Sequence, residues 1–175
     1  MITAKWTDYD RRERLLHIER EVAKNKIAIA IPISRHLEPV FEQLLKMGAG
    51  SDLLFPALKQ SKCEHMSLST LNAGLKRIFK KERENYPQER VQEFTVHDLR
   101  RTFRTILSRM GIPKEIAELC INHRKVDSNE LSEVERYDRY AKLKERRKAC
   151  DQAAEKIMEL SGESEYLTPQ LRLVS

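Results

Sequence analysis

The sequence predicts a mainly α-helical domain with a small antiparallel β-hairpin or sheet on its N-terminal side, an α+β fold. The prediction rests on a change in the spacing of apolar residues along the chain. Isoleucines alternate with other residues from Ile27 to Ile33, as in a β-strand, whereas apolar residues after Ser34 recur at intervals of three and four, as in amphipathic helices. A chain of 175 residues can hold one domain with its own core. We expect that domain to span residues 1–160 and a flexible tail to follow at residues 161–175.

Composition narrows the class of protein. Hydrophobic residues make up 40% of the chain and charged residues 34%, and 33 Lys+Arg against 27 Asp+Glu give a net charge of +6, which suits a polyanionic partner. No apolar run at the start of these residues has the form of a signal peptide, and none approaches the roughly 18 residues of a membrane span. The three cysteines, Cys63, Cys120 and Cys150, lack the spacing of a zinc site or a disulfide framework. We therefore expect a cytoplasmic protein with reduced thiols, no metal and no cofactor.

The sheet is predicted from the first 33 residues. A turn that carries Trp6 comes first, and Leu15–Ile18 is then expected to pair with the isoleucine strand. The polar residues 24–26 lie in the connecting turn, and Pro32 indicates that the second strand is at a sheet edge, because proline cannot donate a ladder hydrogen bond.

Two helices are predicted between this sheet and residue 87. Ser34 caps the first, which ends at Gly48, and either Ser67 or Ser69 caps the second, which ends at Tyr86-Pro87. Their inward-facing residues are predicted to be Leu37, Val40, Phe41, Leu44 and Leu45 in the first helix, and Leu71, Leu75, Ile78 and Phe79 in the second. The outer face of the second helix is basic, and such a run of charges is more often a solvated helix face than a DNA-facing surface.

Three further helices follow. The third begins at Thr95, which with Asp98 has the spacing of a capping box; the fourth spans Pro113 to Ile121; and the last starts near Val134 and continues to Met158. Their inward-facing residues are predicted to be Leu99, Phe103, Ile106, Leu107 and Met110 in the third, Ile116, Leu119 and Cys120 in the fourth, and Val134, Tyr137, Ala141, Leu143, Cys150, Ala154, Ile157 and Met158 in the last.

A histidine and an arginine three residues apart, His97 and Arg100, share one face of the third helix. Between His97 and Lys125 there are seven Lys+Arg against three acidic residues, so the basic excess is concentrated here. A second histidine, His123, and a tyrosine, Tyr137, follow within 40 residues. Arginine fits phosphate oxygens, imidazole moves protons and tyrosine can act as an oxygen nucleophile, so this set of residues favours phosphoryl transfer.

The segments His-Asp-Leu-Arg-Arg-Thr-Phe (97–103) and Glu-Arg-Tyr-Asp-Arg-Tyr (135–140) resemble the catalytic domain of the tyrosine recombinases, the phage-integrase family, and most closely the integrases of satellite phages and genomic islands. Ile-Pro-Ile-Ser (31–34) and Leu-Leu-Phe-Pro (53–56) are also similar to family motifs. The resemblance extends from Ala4 to about Leu160. It implies a recombinase catalytic domain that cleaves and rejoins DNA through a 3′-phosphotyrosyl intermediate.

The resemblance also implies a role for each matching residue. Arg100 would neutralise the phosphate, His97 would hydrogen-bond it and move a proton, and His123 would be the family's second histidine. That histidine is usually preceded by Leu-Gly, and Asn122 stands here in place of the glycine; because Asn tolerates the left-handed conformation, the turn is expected to be kept. Tyr137 would be the nucleophile, with Tyr140 as its competitor. The Tyr-x-Arg match at residues 137–139 favours Tyr137.

The remaining role is that of general acid on the departing 5′ oxygen, which a hairpin lysine performs in the family. Lys24 holds the position that matches this lysine. Composition alone favours a plain solvated turn lysine at position 24 equally, and Lys26 is a close competitor for the role. The implied partner is a double-stranded DNA attachment site, bound by a homo-oligomer. Arg101, Arg104 and Arg124 are the expected DNA contacts.

One family residue has no counterpart in these 175 residues. In the family, the motif that matches Ala4–Asp10 follows a helix carrying a catalytic arginine, so we expect a truncated catalytic domain without that arginine and without cleavage activity. The rival hypothesis is a DNA-binding module without catalysis, either a decayed integrase fragment or a helix-turn-helix regulator, since two helices meet at Gly111-Ile112-Pro113. That alternative leaves the hairpin and Tyr137 unexplained.

Overall fold

The N-terminal part of the chain forms a small antiparallel sheet. The computed structural model describes residues 2–23, 28–48, 50–57, 64–90, 92–122 and 140–161. A 3₁₀ turn at Trp6–Asp8 leads into β1 (Tyr9–Asp10), followed by β2 (Leu15–Ile18) and β3 (Ile29–Pro32), in the order β1-β2-β3. Pro32 pairs with Leu15 and lies on an edge strand, as predicted. β1 was not predicted, because two residues are too few to show a period.

Five helices follow the sheet in the described residues. They are α1 (Glu38–Met47), α2 (Leu68–Asn85), α3 (Val96–Arg109), α4 (Lys114–Cys120) and α5 (Leu143–Ser161), and a 3₁₀ turn at Arg35–Leu37 precedes α1. Ser34 caps that turn by accepting from the His36 amide, and Ser67, rather than Ser69, caps α2. The prediction of a mainly α-helical fold with a small antiparallel sheet is therefore confirmed.

The buried apolar residues form two separate groups. The first, called the sheet cluster here, lies under the strands and consists of Ala4, Leu16, Ile18, Ala23, Ile29, Ile33 and Leu54. The second, called the helix cluster, lies between α3, α4 and α5 and consists of Leu107, Ile116, Ala117, Ala149 and Ala153. Helix α5 packs against α3, α4, β3 and the turn at Arg35–Leu37. It therefore contacts the elements that surround both clusters.

Several predicted inward-facing residues are exposed instead. They are Leu37, Leu45, Leu71, Ile78, Leu99 and Ile157, each more than 40% exposed. Phe79 is the one buried side chain among the α2 residues whose burial is described, and its ring packs edge-on against Phe94 with centroids 4.9 Å apart. The period of apolar residues showed which side chains share a helix face, but it does not show whether another element covers that face.

The last helix also begins later than predicted. Residues 140–142 form a turn in which Lys142 has a φ of 51°, a left-handed conformation that breaks the helical pattern before Leu143. Within α5 the buried line runs through Arg146, Ala149 and Ala153, one position away from the predicted stripe of Cys150 and Ala154. The part of that prediction that falls on residues 134–139 lies outside the described residues.

Candidate functional site

The N-terminus of α3 holds His97 and Arg100 in place. Thr95 caps the helix: its Oγ accepts from the Asp98 amide at 3.3 Å, and the Asp98 carboxylate accepts from the Thr95 amide at 2.9 Å and the Thr95 hydroxyl at 2.7 Å. The predicted capping box is therefore confirmed. The hydrogen bonds from the Thr95 side chain and amide hold the pKa of Asp98 below its usual value. A negative charge in the first turn also suits the helix dipole.

Helix α2 supports the start of α3 from the side. The Val96 amide donates to Oδ1 of Asn72 at 3.0 Å, and Phe94 packs on Phe79. Since backbone amides in the first turn of a helix have no partner within the helix, the Asn72 contact both satisfies one of them and fixes the helix position. The capped first turn therefore orients the residues that follow it.

The predicted basic residues share one face of α3. His97, Arg100, Arg101 and Arg104 are spaced by three and four residues, so they lie one above another along the helix. His97, Arg100 and Arg101 are exposed, Arg104 is half-buried, and Leu107 lies fully buried beside this face. Packing of Leu107 against α4 and α5 therefore anchors α3 and leaves its basic face accessible.

Arg100 connects α3 to the turn after α4. Its guanidinium donates to the carbonyl oxygen of Ile121, and the Asn122 amide donates to the Leu119 carbonyl at 3.1 Å. Asn122 has a φ of 49°, so it adopts the left-handed conformation expected of the residue before His123. Arginine has five N–H donors, so the bond to Ile121 leaves others for an anion. The pair on α3 and the chain that leads into His123 thus lie side by side.

The other two arginines of this face differ in their contacts. Arg101 lies 3.7 Å from the Asp98 carboxylate, in an exposed pair that is only a weak constraint. Arg104 makes no hydrogen bond or ion pair with another described residue. Both can therefore reorient towards a phosphate at little cost.

Four predicted site residues lie outside the described residues: Lys24, His123, Arg124 and Tyr137. Tyr140, the competing tyrosine, is described. It lies in the turn before α5, about half exposed, with its ring edge-on to His17 of β2 and the centroids 6.3 Å apart. Residue 140 lies in a turn outside α5, so the prediction of one continuous helix from Val134 to Met158 is wrong at this position.

Two features here were not predicted from the sequence. Cys120 and Cys150, thirty residues apart in sequence, are free thiols whose sulfurs lie 4.0 Å from each other between α4 and α5. The guanidinium of Arg146 is buried in the first turn of α5. The spacing of Arg146 to Ala149 and Ala153 was the one signal that could have revealed it, because small residues at i+3 and i+7 mark a closely packed helix face.

None of the helices that the structure describes has the length and apolar composition needed to cross a bilayer. Comparison with known families gives a match to the model of the phage integrase family over residues 1–143. No curated protein and no solved structure matches the chain. The matched region contains the sheet, α1 to α4 and every predicted site residue, and it ends at the first residue of α5. The chain therefore belongs to the phage integrase family, whose members act in site-specific recombination of DNA.

Proposed function

We propose that this protein cleaves and rejoins DNA strands through a 3′-phosphotyrosyl intermediate, as an integrase of the kind found in satellite phages and genomic islands. One observation carries the proposal beyond family membership. His97 and Arg100 lie on the exposed face of a capped helix, and Arg100 is bonded to the carbonyl of Ile121, two residues before His123. A cation and two imidazoles on adjoining segments suit a phosphodiester, whose charge must be neutralised before a nucleophile can attack.

The proposed chemistry conserves the energy of the phosphodiester bond. The Tyr137 oxygen attacks phosphorus and its proton passes to a neighbouring acceptor, with His97 and His123 as candidates. The bond from phosphorus to the 5′ oxygen breaks, and Lys24 gives a proton to that oxygen. Arg100 neutralises the non-bridging oxygens. Rejoining is the reverse attack by a 5′ hydroxyl on the phosphotyrosine, so no external energy source is required.

Binding is proposed to occur mainly through DNA phosphates. Arg101 and Arg104 extend the exposed basic face of α3, and Arg124 follows His123 in the sequence. Contacts with phosphate give affinity that depends little on sequence and falls steeply with salt, so we expect weak, salt-sensitive binding to a random duplex. If binding to a random duplex is absent at low salt, or is unaffected by salt, the basic face of α3 is not a phosphate-binding surface. We propose that several copies assemble on the attachment site.

A helix-turn-helix regulator is the second candidate, and α4 argues against it. A recognition helix presents a polar or basic face to the major groove. Helix α4 has seven residues, its Ile116, Ala117 and Leu119 are buried in contact with neighbouring helices, and its outer positions include Glu115 and Glu118. Two carboxylates on a short buried helix oppose the charge of DNA. The basic face of α3 remains available for either function.

The nucleophile can be identified with a nicked suicide substrate that traps the covalent adduct. Tyr137→Phe is expected to abolish the adduct, because it removes the attacking oxygen, and Tyr140→Phe is the matched control that should retain it. The assay uses the protein at the length that its gene encodes, and adducts are counted by denaturing gel. Loss of the adduct in Tyr140→Phe alone would reverse the assignment.

Residues 1–175 on their own are expected to give no detectable adduct. Only Arg100 stands at a position matching the family's two arginines, and loss of one fixed cationic donor costs on the order of a hundredfold to a thousandfold in rate. Running residues 1–175 beside the same residues preceded by the arginine-bearing helix of a family member tests this. Robust cleavage by residues 1–175 would direct attention to Arg11, Arg12 and Arg139 as substitute cations; Arg11 is at present paired with Glu42 at 2.6 Å.

A further inference from the structure

Arg146 is the largest fully buried side chain in the described residues, with 1% of its surface exposed. It lies in the first turn of α5, beyond the end of the match to the family. Burying an unsatisfied guanidinium is costly, so such a group is kept only where hydrogen bonds compensate for its lost hydration. The partners of Arg146 therefore show what the residue does.

Two of its hydrogen bonds go to backbone carbonyls, one of them 5 residues and the other 116 residues before it in the chain. Nε donates to the Ala141 carbonyl and Nη1 donates to the Ala30 carbonyl, each at 2.9 Å. Ala30 is a fully buried residue of β3, and Ala141 lies in the turn before α5. Because the donors of a guanidinium are fixed in one plane, the two bonds set the position of one carbonyl relative to the other.

Each of these carbonyls lies on a segment that carries a proposed catalytic residue. Ala30 belongs to the β2–β3 hairpin, and the connection between these strands contains Lys24. Ala141 follows Tyr137 by four residues. The contact between Tyr140 and His17 of β2 brings the same two segments together at a second point. Although Lys24 and Tyr137 lie outside the described residues, the chain on the C-terminal side of each passes Arg146.

We propose that Arg146 is a positioning residue that aligns the hairpin of Lys24 with the chain of Tyr137. This inference rests on the proposed function. In the cleavage step the tyrosine oxygen and the departing 5′ oxygen lie on opposite sides of phosphorus, so the nucleophile and the general acid must be aligned across it. A misplacement of about 1 Å can cost on the order of a hundredfold in rate. Arg146 does not touch the phosphate itself.

The hairpin is the side expected to move when Arg146 is replaced. Among the described strands, β3 lies at the edge of the sheet and pairs with β2, whereas the turn at residues 140–142 is continuous with α5, which packs on α3 and α4. Loss of the bond to Ala30 therefore displaces the general acid more than the nucleophile. Lysine at this position would keep the charge but could not hold both carbonyls in the same geometry.

The test uses Arg146→Lys, Arg146→Met and the control Arg147→Met in the gene-encoded protein. Cleavage rates are measured on ordinary DNA and on DNA with sulfur in place of the bridging 5′ oxygen. A thiolate leaves without a proton, so the sulfur substrate does not need the general acid. We expect both Arg146 variants to lose about a hundredfold on ordinary DNA and less than tenfold on the sulfur substrate. Arg147→Met should match the parent on both.

Equal losses on the two substrates would overturn the proposal, because a purely structural role lowers both rates alike. Global unfolding of both Arg146 variants would also overturn it, since the residue would then maintain the whole fold. If the parent protein cleaves no DNA, the proposed function fails, and amide hydrogen exchange decides the role of Arg146. Arg146→Lys is then expected to raise exchange at residues 28–32 and to leave α3 unchanged; unchanged exchange at residues 28–32 would refute the alignment.

Discussion

The sheet cluster and the helix cluster differ in how they are assembled. The sheet cluster is formed by residues within the first 54 positions, with isoleucine and leucine side chains from neighbouring strands. The helix cluster packs Leu107 against alanines of α4 and α5, so it requires a helix that begins at residue 143. The proposed chemistry is divided in the same way, since Lys24 belongs in sequence to the connection between β2 and β3, whereas His97 and Arg100 lie on α3. A working site therefore depends on how the two regions are joined.

Arg146 and Glu155 of α5 each contact the N-terminal region, and the two contacts differ in burial. Arg146 bonds to β3 in the interior, whereas Arg35 pairs with Glu155 at 2.6 Å on the surface, with 62% and 50% of their side chains exposed. Surface pairs are screened by solvent and contribute little, while a buried hydrogen-bonded cation is costly to disturb. We expect the buried contact to determine the alignment and the exposed one to be dispensable.

The largest expected effect is that of removing core volume from either cluster. Leu107→Ala and Leu16→Ala should each lower the free energy of unfolding by about 2–5 kcal/mol, because both side chains are buried and their neighbours cannot fill the cavity. Leu99→Ala, on the exposed part of α3, is the control. Urea unfolding followed by Trp6 fluorescence and by far-UV circular dichroism should give coincident transitions. Separate transitions would show that the regions unfold independently.

The thiol pair reports on the helix cluster alone. The hydrogen bond from the Cys150 thiol lowers the pKa of Cys120, and the same bond together with burial raises the pKa of Cys150. Since the thiolate is the reactive form, Cys120 should react with iodoacetamide at least about tenfold faster than Cys150 in a Cys63→Ser background. Peptide mapping by mass spectrometry measures the two rates. Faster labelling of Cys150 would contradict the assigned hydrogen bond.

The capping box should contribute less than core packing. Thr95→Ala is expected to cost about 1 kcal/mol, since it removes a cap. The pKa of Asp98 is depressed in the folded state, so its stabilising effect is present above the unfolded-state pKa of about 3.9 and is lost as pH falls through the lower folded value. The difference in Tm between the parent and Thr95→Ala, measured by thermal unfolding, should therefore become smaller below about pH 4. Thr105→Ala, exposed on the same helix, should show no such pH dependence.

The smallest effect is expected at the exposed contact between the regions. Arg35→Ala should change the free energy of unfolding by less than about 0.5 kcal/mol, and added salt should reduce the change further. A double-mutant cycle with Glu155→Ala isolates the pair. A coupling energy above about 1 kcal/mol would place the pair beside Arg146 as a determinant of alignment.

The features that the sequence predicted correctly depend on neighbours within a few residues. The cap at Thr95 needs only Asp98 three residues later, and the turn before His123 needs only the tolerance of Asn122 for a left-handed backbone. The pairing of Leu15–Ile18 with the isoleucine strand is likewise local, although its connecting residues 24–27 lie outside the described part. Such features are set by short-range sterics and hydrogen bonds, which residue type reveals directly.

The features that were predicted wrongly, or not predicted, depend on long-range packing. Leu71 and Ile78 show helical spacing but are exposed, because α2 has little of the described chain packed against it. Arg146 lies in a run of charged residues, where an exposed side chain is the ordinary expectation. Its burial depends on a carbonyl at Ala30, and nothing in the local sequence indicates that contact. The individual roles of Lys24, His123 and Tyr137 stay predictions.

Arg146 and Ala30 are 116 residues apart, so the hydrogen bond between them can form only late in the synthesis of the protein. A chain emerges from the ribosome with its N-terminus first, so the hairpin and α3 can form before α5 exists. Closing so long a loop must wait until Arg146 has been made. On the roles proposed above, Lys24 would not be aligned with Tyr137 until then, and we expect a nascent chain close to the chromosome to bind DNA without being able to cut it.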